Sequence, residues 1–290
     1  MARNNYVFLY GRVTKNPKIV VDNDGNYLRG QCLLTTIRGK RNVGSEELED
    51  YKYDCPIIMT RDPNRIHEMA QWKDKDMVEI KGIICTRDIK RISTCANCKH
   101  ENVKVGVMLY IEPIYLGRVE SGLTDEQCTE KLRAKCEISN QCIVAGNLCN
   151  DPTSVRDDSD ILHTQYQIAL NRKFHVKNDP PDMKTDYPWV KSMGENAKLD
   201  SLYLRKGSSV LIDGFIQTRQ FKQKTVCEEC GETYTWTNSV IEIVPYSTEY
   251  LLNCNFGEQY VENSSDATTQ TENVENIISE KKIEKIRPSA

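Results

Sequence analysis

The chain has 290 residues, of which 39% are hydrophobic and 28% are charged, and its formal net charge is −3. This length is enough for about two domains, and the lack of an apolar run of roughly 18 residues predicts that no helix crosses a membrane. A charge so close to zero argues against strong non-specific binding of duplex nucleic acid. The start of the sequence has no signal-peptide pattern, so we expect a cytoplasmic protein.

The first 118 residues are predicted to be mostly β. A short apolar run at residues 6–10 precedes a turn at Pro17, and residues 64–72 form the clearest helix candidate. Residues 78–86 alternate between core-facing and outward-facing side chains, which is typical of a strand with one buried face. Gly82 interrupts that strand, at a place where glycine often marks a bend or a bulge.

The same pattern returns in the second half of the sequence, after a linker. Residues 124–127 match a helix-capping box, which predicts a short helix in the linker. The segment Gly82–Arg87 has its counterpart in Gly214–Arg219, 132 residues later, and this offset holds from Asp54 to Pro113. A correspondence this regular indicates an internal duplication.

Four segments follow from the duplication: a first domain at residues 1–118, a linker with a short helix at 119–139, a second domain at 140–254, and a tail at 255–290. The tail is rich in Asn, Ser, Thr and Glu and is predicted to be disordered. In each domain, several strands, one helix after the third strand and a long hairpin predict a small barrel. The predicted fold class is all-β with short helices: two tandem five-stranded OB-fold barrels, each with a Cys-x-x-Cys loop on its long β4–β5 hairpin.

Four stretches of the second domain resemble the bacterial single-stranded DNA-binding protein (SSB) family. They match the family's first three strands and its helix end with the fourth strand, and they are residues 144–152, 168–172, 185–190 and 203–219. The resemblance implies an OB fold, sequence-tolerant binding of single-stranded DNA without catalysis, and assemblies of four OB domains. With two domains per chain, it implies a homodimer.

The chain departs from the family pattern in three ways. The family's hairpin normally lacks a Cys-x-x-Cys pair. The first domain has fewer aromatic residues, since Cys55 stands at the position of Tyr187 and Ile89 at the position of Phe221. The sequence ends at Arg287-Pro-Ser-Ala, whereas the family's tail tip is acidic, ends in an apolar residue and recruits other replication proteins. The resemblance therefore does not extend to that recruiting tip.

Binding of a single strand requires cations for the phosphates and flat rings for the bases, and each stacked base contributes about 1–3 kcal/mol. Strand alternation and the resemblance together nominate ten residues in the second domain and three in the first. These predicted DNA-binding residues are Asn147, Asn171, Arg172, Lys173, Phe174, Tyr187, Trp189, Gln217, Arg219 and Phe221, with Arg38, Arg41 and Arg87. Because rings are scarce in the first domain, we expect the second to bind more tightly and the first to contribute charge and assembly.

Two Cys-x-x-Cys pairs lie at matched positions, Cys95 with Cys98 and Cys227 with Cys230. This spacing lets both sulfurs of a turn reach one tetrahedral metal, so we interpret the pairs as ligands of a structural zinc ion. Three arrangements stay open: one four-cysteine site within the chain, which we favour, pairing between the chains of a dimer, or separate sites with His100 as a third ligand in the first. A redox pair lacks a thioredoxin-like context, and exposed thiols in a turn are the plainest alternative.

The function that these features favour is a non-enzymatic protein that coats or organises single-stranded DNA in replication, recombination or transfer of a mobile element. Its expected location is the nucleoid, with replication or recombination proteins as candidate partners. The alternatives are an assembly adaptor in a replication or transcription complex and an RNA-binding module. An enzyme is least favoured, because the four histidines are dispersed and no phosphate loop or nucleophile signature is present.

Overall fold

The computed structural model describes residues 4–39, 51–172, 174–177, 179–180 and 183–256. Contacts join residues 1–254 into one unit, and the predicted tail lies outside the described residues apart from Asn255 and Phe256. The described part is mostly β with short helices, as predicted. Within it, each helix is too short or too polar to cross a membrane.

In the described residues of the first half there are seven strands and one helix. They are β1 (Asn5–Val13), β2 (Lys18–Val21), β3 (Tyr27–Ile37), β4 (Tyr53–Asp54), β5 (Ile57–Thr60), α1 (Pro63–Ala70), β6 (Met77–Thr94) and β7 (Glu101–Glu120). Helix α1 begins after Asp62, whose carboxylate accepts the backbone N–H of Asn64. Pro63 occupies its first turn, where a missing N–H costs no hydrogen bond. Buried Ile66 and Met69 form the apolar side of the helix.

The second half has the same order of elements after two linker helices. The linker helices are α2 (Asp125–Ala134) and α3 (Cys136–Ser139). The elements of the second half are β8 (Asn140–Leu148), β9 (Thr153–Arg156), β10 (Leu162–Asn171), β11 (Thr185–Asp186), β12 (Trp189–Met193), α4 (Gly194–Tyr203), β13 (Ser209–Val226) and β14 (Thr233–Leu252). The predicted capping box is confirmed, since the Thr124 hydroxyl accepts the Gln127 N–H at 3.3 Å and the Gln127 side chain accepts the Thr124 N–H at 2.9 Å.

Strands β1 and β8 join the two halves. They run antiparallel, with Val7 opposite Cys142 and Asn5 opposite Val144. Val7 and Cys142 are counterparts, 135 residues apart in the sequence, so this register is the one that a local twofold axis through the pair would produce. The sheet continues outward on both sides in the order β7-β6-β1-β8-β13-β14.

Each long strand has an irregularity at the predicted glycine. The pairing register shifts between Lys81 and Gly82 in β6 and between Asp213 and Gly214 in β13. A Cβ on Gly82 would lie 2.7 Å from the carbonyl oxygen of Glu112, so only glycine lets the two backbones approach this closely. The predicted irregularity is confirmed at both positions.

Two buried asparagines connect these two strands to the centre of the sheet. Asn5 donates to the carbonyl of Ile84 at 3.0 Å and accepts its N–H at 2.8 Å. Asn140 makes the same pair of bonds to Ile216, at 2.9 and 3.0 Å. A buried amide needs such partners, and the two halves therefore share side-chain detail as well as strand order.

The apolar core lies on one side of the long strands. Ile80 and Ile84 of β6 and Ile212 and Ile216 of β13 are fully buried. Side chains alternate between the two faces of a strand. Residues at odd-numbered positions of β13, beginning with Gln217, are therefore turned away from this core.

Candidate nucleic-acid interface

Strands β12, β13 and β14 bring predicted residues of the second half side by side. Strand β12 pairs in parallel with β14 at Val190 and Ile243, while β14 pairs with β13 at Glu242 and Gln217. Because Val190 and Ile243 are buried in the core, their sequence neighbours face the opposite side. We call this patch the second-half face; its side chains are Trp189, Lys191, Gln217, Arg219 and Phe221.

Two cations and one carboxylate meet on the second-half face. Nε of Arg219 lies 2.6 Å from Oε1 of the fully buried Glu242, and its guanidinium carbon lies 4.9 Å from the ring centre of Phe221. Burial lowers the pKa of the Lys191 ammonium, and the nearby positive charge of Arg219 lowers it further. Two cations against one carboxylate leave positive charge available for a phosphate.

Three of the predicted DNA-binding rings are accessible to solvent. Tyr187 is 47% exposed and Phe174 is 40% exposed, while Trp189 is partly exposed. The backbone N–H of Tyr187 donates to the Thr86 hydroxyl at 3.0 Å, and its carbonyl accepts from the Gln167 side chain at 2.8 Å. The backbone is thus held while the ring stays accessible, which suits stacking on a base.

Arg172 lies in the interior, and its side chain is only 3% exposed. Its Nε and Nη2 bind both oxygens of Asp186 at 2.5 and 2.8 Å, and its Nη1 binds Asp179 at 2.6 Å. A buried guanidinium requires such partners. The predicted contact between Arg172 and DNA does not fit this environment, because two carboxylates already occupy its donors.

Arg38 is the counterpart of Arg172 in the first half. It binds Asp54 through Nε at 2.6 Å and Nη2 at 3.0 Å, and its guanidinium lies 4.9 Å from the ring centre of Phe215. Only 18% of its side chain is exposed. Asp54 therefore already occupies the guanidinium donors of Arg38 that a DNA phosphate would need.

Asp54 and Asp186 also fasten the two halves to each other. Oδ1 of Asp54 accepts the backbone N–H of Thr218 at 2.7 Å, and Oδ1 of Asp186 accepts that of Thr86 at 2.6 Å. Each aspartate thus pairs with an arginine of its own half and with the backbone of the other half. Carboxylates that accept such bonds make strong, directional contacts.

The predicted amide residues are already engaged or partly buried. Asn147 accepts from the Ser209 hydroxyl at 2.8 Å, and Asn171 accepts from the Thr185 hydroxyl at 2.9 Å. The side-chain oxygen of Gln217 is buried and has no hydrogen-bond partner among the described residues. Two further predicted residues lie outside the described part of the chain: Arg41 and Lys173.

Arg87 is the predicted cation of the first half that has no carboxylate partner in the described part of the chain. Its Nη1 lies 3.8 Å from the sulfur of Met59. Its counterpart Arg219 is held by Glu242, whereas Tyr110 stands at the position of this glutamate in the first half. The two arginines therefore differ in how much charge they offer to a ligand.

Two residues of this region, Lys191 and Glu242, were not among those predicted from the sequence. Lys191 follows Trp189 by two residues on one strand, so alternation alone could have placed it on the same face. Glu242 gives no such signal, because a glutamate in a strand usually faces solvent, and this one is fully buried.

The four cysteines of the two Cys-x-x-Cys pairs come together within the chain. The Sγ atoms of Cys95 and Cys230 are 3.7 Å apart, those of Cys98 and Cys227 are 3.5 Å apart, and all four lie within 4.8 Å of one another. A Zn–S distance of about 2.3 Å places tetrahedral sulfurs roughly 3.8 Å apart. The cluster therefore fits one metal ion, and His100 is not among its ligand atoms.

Both cysteine loops have the same backbone geometry. The N–H of Lys99 donates to the Cys95 carbonyl at 3.1 Å, and that of Gly231 donates to the Cys227 carbonyl at 3.0 Å. The backbone N–H of Cys98 contributes most to lowering the pKa of the Cys95 thiol, to about 7. Such N–H groups stabilise a thiolate, which is the form that binds metals.

Comparison with known proteins agrees with this fold. The profile described as the Single-strand binding protein family matches residues 139–238. Over 85 residues the chain is 31% identical to "Single-stranded DNA-binding protein B" of Bacillus subtilis (strain 168), and the match covers 29% of the chain and 74% of that protein. The chain belongs to the single-strand binding protein family.

Two other relatives of this single-strand binding protein family member are matched over little more than half their length. The chain is 34% identical over 84 residues to "Single-stranded DNA-binding protein 2" of Chlorobaculum tepidum, which is 29% of the chain and 57% of that protein. It is 26% identical over 85 residues to "Single-stranded DNA-binding protein" of Fusobacterium nucleatum, again 29% of the chain and 55% of that protein.

The structural likeness reaches further than the family profile. The crystal structure of the wild-type single-stranded DNA binding protein from Thermus aquaticus matches with a TM-score of 0.55 and 16% identity. The match covers 87% of this family member and 95% of the Thermus chain. At this identity it supports a shared fold, and it extends well beyond residues 139–238.

Proposed function

We propose that this chain binds single-stranded DNA without sequence preference and without catalysing a reaction. The observation that carries the proposal is the second-half face, where Trp189 and Lys191 share one side of β12 and Lys191 lies close to the charge of Arg219. A ring can stack on any base, because every base has a π-face, and cations pair with the phosphates that all bases share. The relatives' names point to the same ligand.

The residues divide into two groups under this proposal. Stacking on bases falls to the rings of Trp189, Tyr187, Phe174 and Phe221. Pairing with phosphates falls to the cations Lys191, Arg219 and Arg87. Arg38 and Arg172 are assigned to structure, because Asp54, Asp186 and Asp179 hold them.

The biological role that fits such binding is to coat or organise unpaired strands in replication, recombination or transfer of a mobile element. This role places the protein with DNA in the nucleoid, where replication or recombination proteins are its candidate partners. An assembly adaptor is not favoured, because an adaptor has no need of rings and cations on one face. RNA binding is left as an outcome of the experiment below.

A structural zinc ion is the second part of the proposal. The four-cysteine cluster supports it, because the sulfur separations of 3.5 and 3.7 Å match those of a tetrahedral site. An ion there would be held by Cys95, Cys98, Cys227 and Cys230. It would fix the tips of the two long hairpins to each other.

The third part is a homodimer. Tyr6 and Ile143 are 41% and 43% exposed, and they lie beside the central pair of Val7 and Cys142. Large apolar side chains in the middle of a sheet suit burial against a second copy. With one OB domain at residues 1–118 and another at 140–254, two chains would provide four such domains, and light scattering should give twice the mass of the chain.

The function is tested by fluorescence anisotropy with one labelled sequence prepared as single-stranded DNA, duplex DNA and RNA. The expected result is that single-stranded DNA binds at least tenfold more tightly than the duplex, with an affinity that falls as salt rises. Tighter binding of RNA would assign the face to that ligand. Equal, weak binding of all three would remove the proposal in favour of the adaptor.

A further inference from the structure

The first-half region that corresponds to the second-half face has a different character. For Trp189, Lys191, Gln217 and Glu242, the counterparts 132 residues earlier are Ile57, Met59, Cys85 and Tyr110. A ring, a cation, an amide and a carboxylate are thus replaced by less polar groups. The last three counterparts form a buried apolar cluster with Ile83, and Ile57 packs against it. At the five positions that correspond to the second-half face, the first half keeps a cation only at Arg87, the counterpart of Arg219.

A segment of the second half covers this cluster. Residues 174–177 and 179–180 belong to the connection between β10 and β11. Val176 from this segment is only 4% exposed and packs into the cluster with Met59, Cys85 and Tyr110. An apolar side chain of one half therefore fills the surface at which the other half would otherwise meet a base.

Asp179 fastens the same segment. Its carboxylate binds Nη1 of Arg61 in the first half at 3.2 Å and Nη1 of Arg172 in the second half at 2.6 Å. Its side chain is 9% exposed, and charge-assisted bonds in such surroundings are strong and directional. The segment is therefore held at two points, by an apolar contact and by a two-sided ion pair.

We propose that this segment occupies the groove of the first half, so that each chain offers one strand-binding groove, the second-half face. The inference rests on the proposed function and adds a stoichiometry to it. A strand that runs past the first half would meet Arg87 at the rim and would find the cluster beneath Val176 closed.

The stoichiometry is measured by native mass spectrometry with an oligothymidine of about eight nucleotides, within the roughly 4–16 nucleotides that one OB fold occupies. One oligonucleotide per chain is expected at saturation. Two per chain would overturn this inference while leaving the proposed function in place. None would overturn the proposed function and this inference with it.

The location is tested with a matched pair of variants at equivalent positions. Trp189→Ala should weaken binding of the oligothymidine at least tenfold, because it removes a stacking ring. Ile57→Ala should change the affinity by less than twofold. An equal loss in the two variants would overturn the assignment to the second half.

The closing role of the segment is tested through the fully buried thiol of Cys85. A charge introduced by Val176→Asp should expel the segment and raise the rate at which a maleimide modifies Cys85 at least tenfold, as mapped by mass spectrometry. Cys142, which is 1% exposed in the central sheet, serves as the internal control and should stay unmodified. If both thiols react, Val176→Asp has unfolded the protein, and the milder variant Val176→Ala is used instead. In that variant too, Cys85 should react at least tenfold faster than in the wild type while Cys142 stays unmodified. A Cys85 that stays unreactive in both variants would overturn the proposal.

Discussion

Asn102 and Tyr234 are counterparts in the two halves, 132 residues apart, and they hydrogen-bond to each other at 2.9 Å. The Tyr234 hydroxyl also lies 2.8 Å from Oγ of Ser93, and both counterparts are buried. Identical halves would place two tyrosines or two asparagines here. Covalent linkage lets the two halves diverge, so that one supplies the phenol and the other the amide.

Removing the hydroxyl group of Tyr234 should destabilise the protein. In Tyr234→Phe, the buried side chains of Asn102 and Ser93 lose a shared partner, which costs about 1–3 kcal/mol of unfolding free energy. Urea unfolding measures the difference. Tyr115→Phe, on the long hairpin of the first half and 53% exposed, is the matched control and should change stability by less than about 0.5 kcal/mol. Equal effects would show that the buried contact contributes nothing.

Asp186→Asn should lower the free energy of unfolding by more than Tyr234→Phe does. The change leaves Arg172, whose side chain is 3% exposed, with Asp179 as its remaining carboxylate partner in the described structure. Breaking a buried ion pair from one side costs about 3 kcal/mol. Asp160→Asn, at a side chain that is 86% exposed, should leave the urea midpoint nearly unchanged. A midpoint for Asp186→Asn within error of the control would contradict the structural role assigned to this pair.

The cysteine cluster predicts a metal content. Elemental analysis of protein purified without chelator should find about one zinc ion per chain, and Cys230→Ser should lower this value because a structural site needs four ligands. Cys254→Ser removes a thiol outside the cluster and should leave the zinc content unchanged. Protein without zinc, or equal retention in both variants, would count against the site.

Glu112 predicts a dependence of stability on pH. Burial raises its pKa to about 7, although the Thr60 hydroxyl and Arg65 act in the opposite direction. The folded state therefore holds a proton that the unfolded chain releases near its ordinary pKa of about 4.3. Stability from this group is fully present below that value and is lost as pH rises towards 7, by up to about 3 kcal/mol.

The comparison variant for this pH effect is Glu112→Gln, which cannot titrate. Urea unfolding at pH 5 and pH 8 should show a smaller loss of stability in Glu112→Gln than in the wild type. Glu120→Gln, which removes a carboxylate that is 42% exposed, should behave like the wild type. The same loss in Glu112→Gln and the wild type would refute the assignment.

Local patterns in the sequence were sufficient for much of the fold. Alternation predicts the strand that carries Ile212 and Ile216, and Gly214 marks its irregularity, because both features depend on neighbours along the chain. The spacing of Cys227 and Cys230 likewise indicates a metal turn. The sequence favours Cys95 and Cys98 as the partners of that turn but leaves two other arrangements open, and the structure brings the four sulfurs together within the chain.

The candidate site was less predictable, because burial and pairing are tertiary properties. The sequence suggests that Arg172 binds a phosphate, but its guanidinium N–H groups are hydrogen-bonded to Asp186 and Asp179. Val176 carries no sequence signal for filling a groove of the other half. Strand alternation could have predicted the position of Lys191, but it could not have predicted that Glu242 is buried beside Arg219.

The most direct test follows tryptophan fluorescence while oligothymidine is added. The chain has three tryptophans: Trp72, at 2% exposure, is buried, Trp236 packs against the cysteine cluster, and Trp189 lies on the second-half face. If a base stacks on Trp189, the wild type should be quenched in a saturable manner, and Trp189→Phe should lose most of that quenching while Trp236→Phe keeps it. Quenching that persists unchanged in Trp189→Phe would contradict binding at this face.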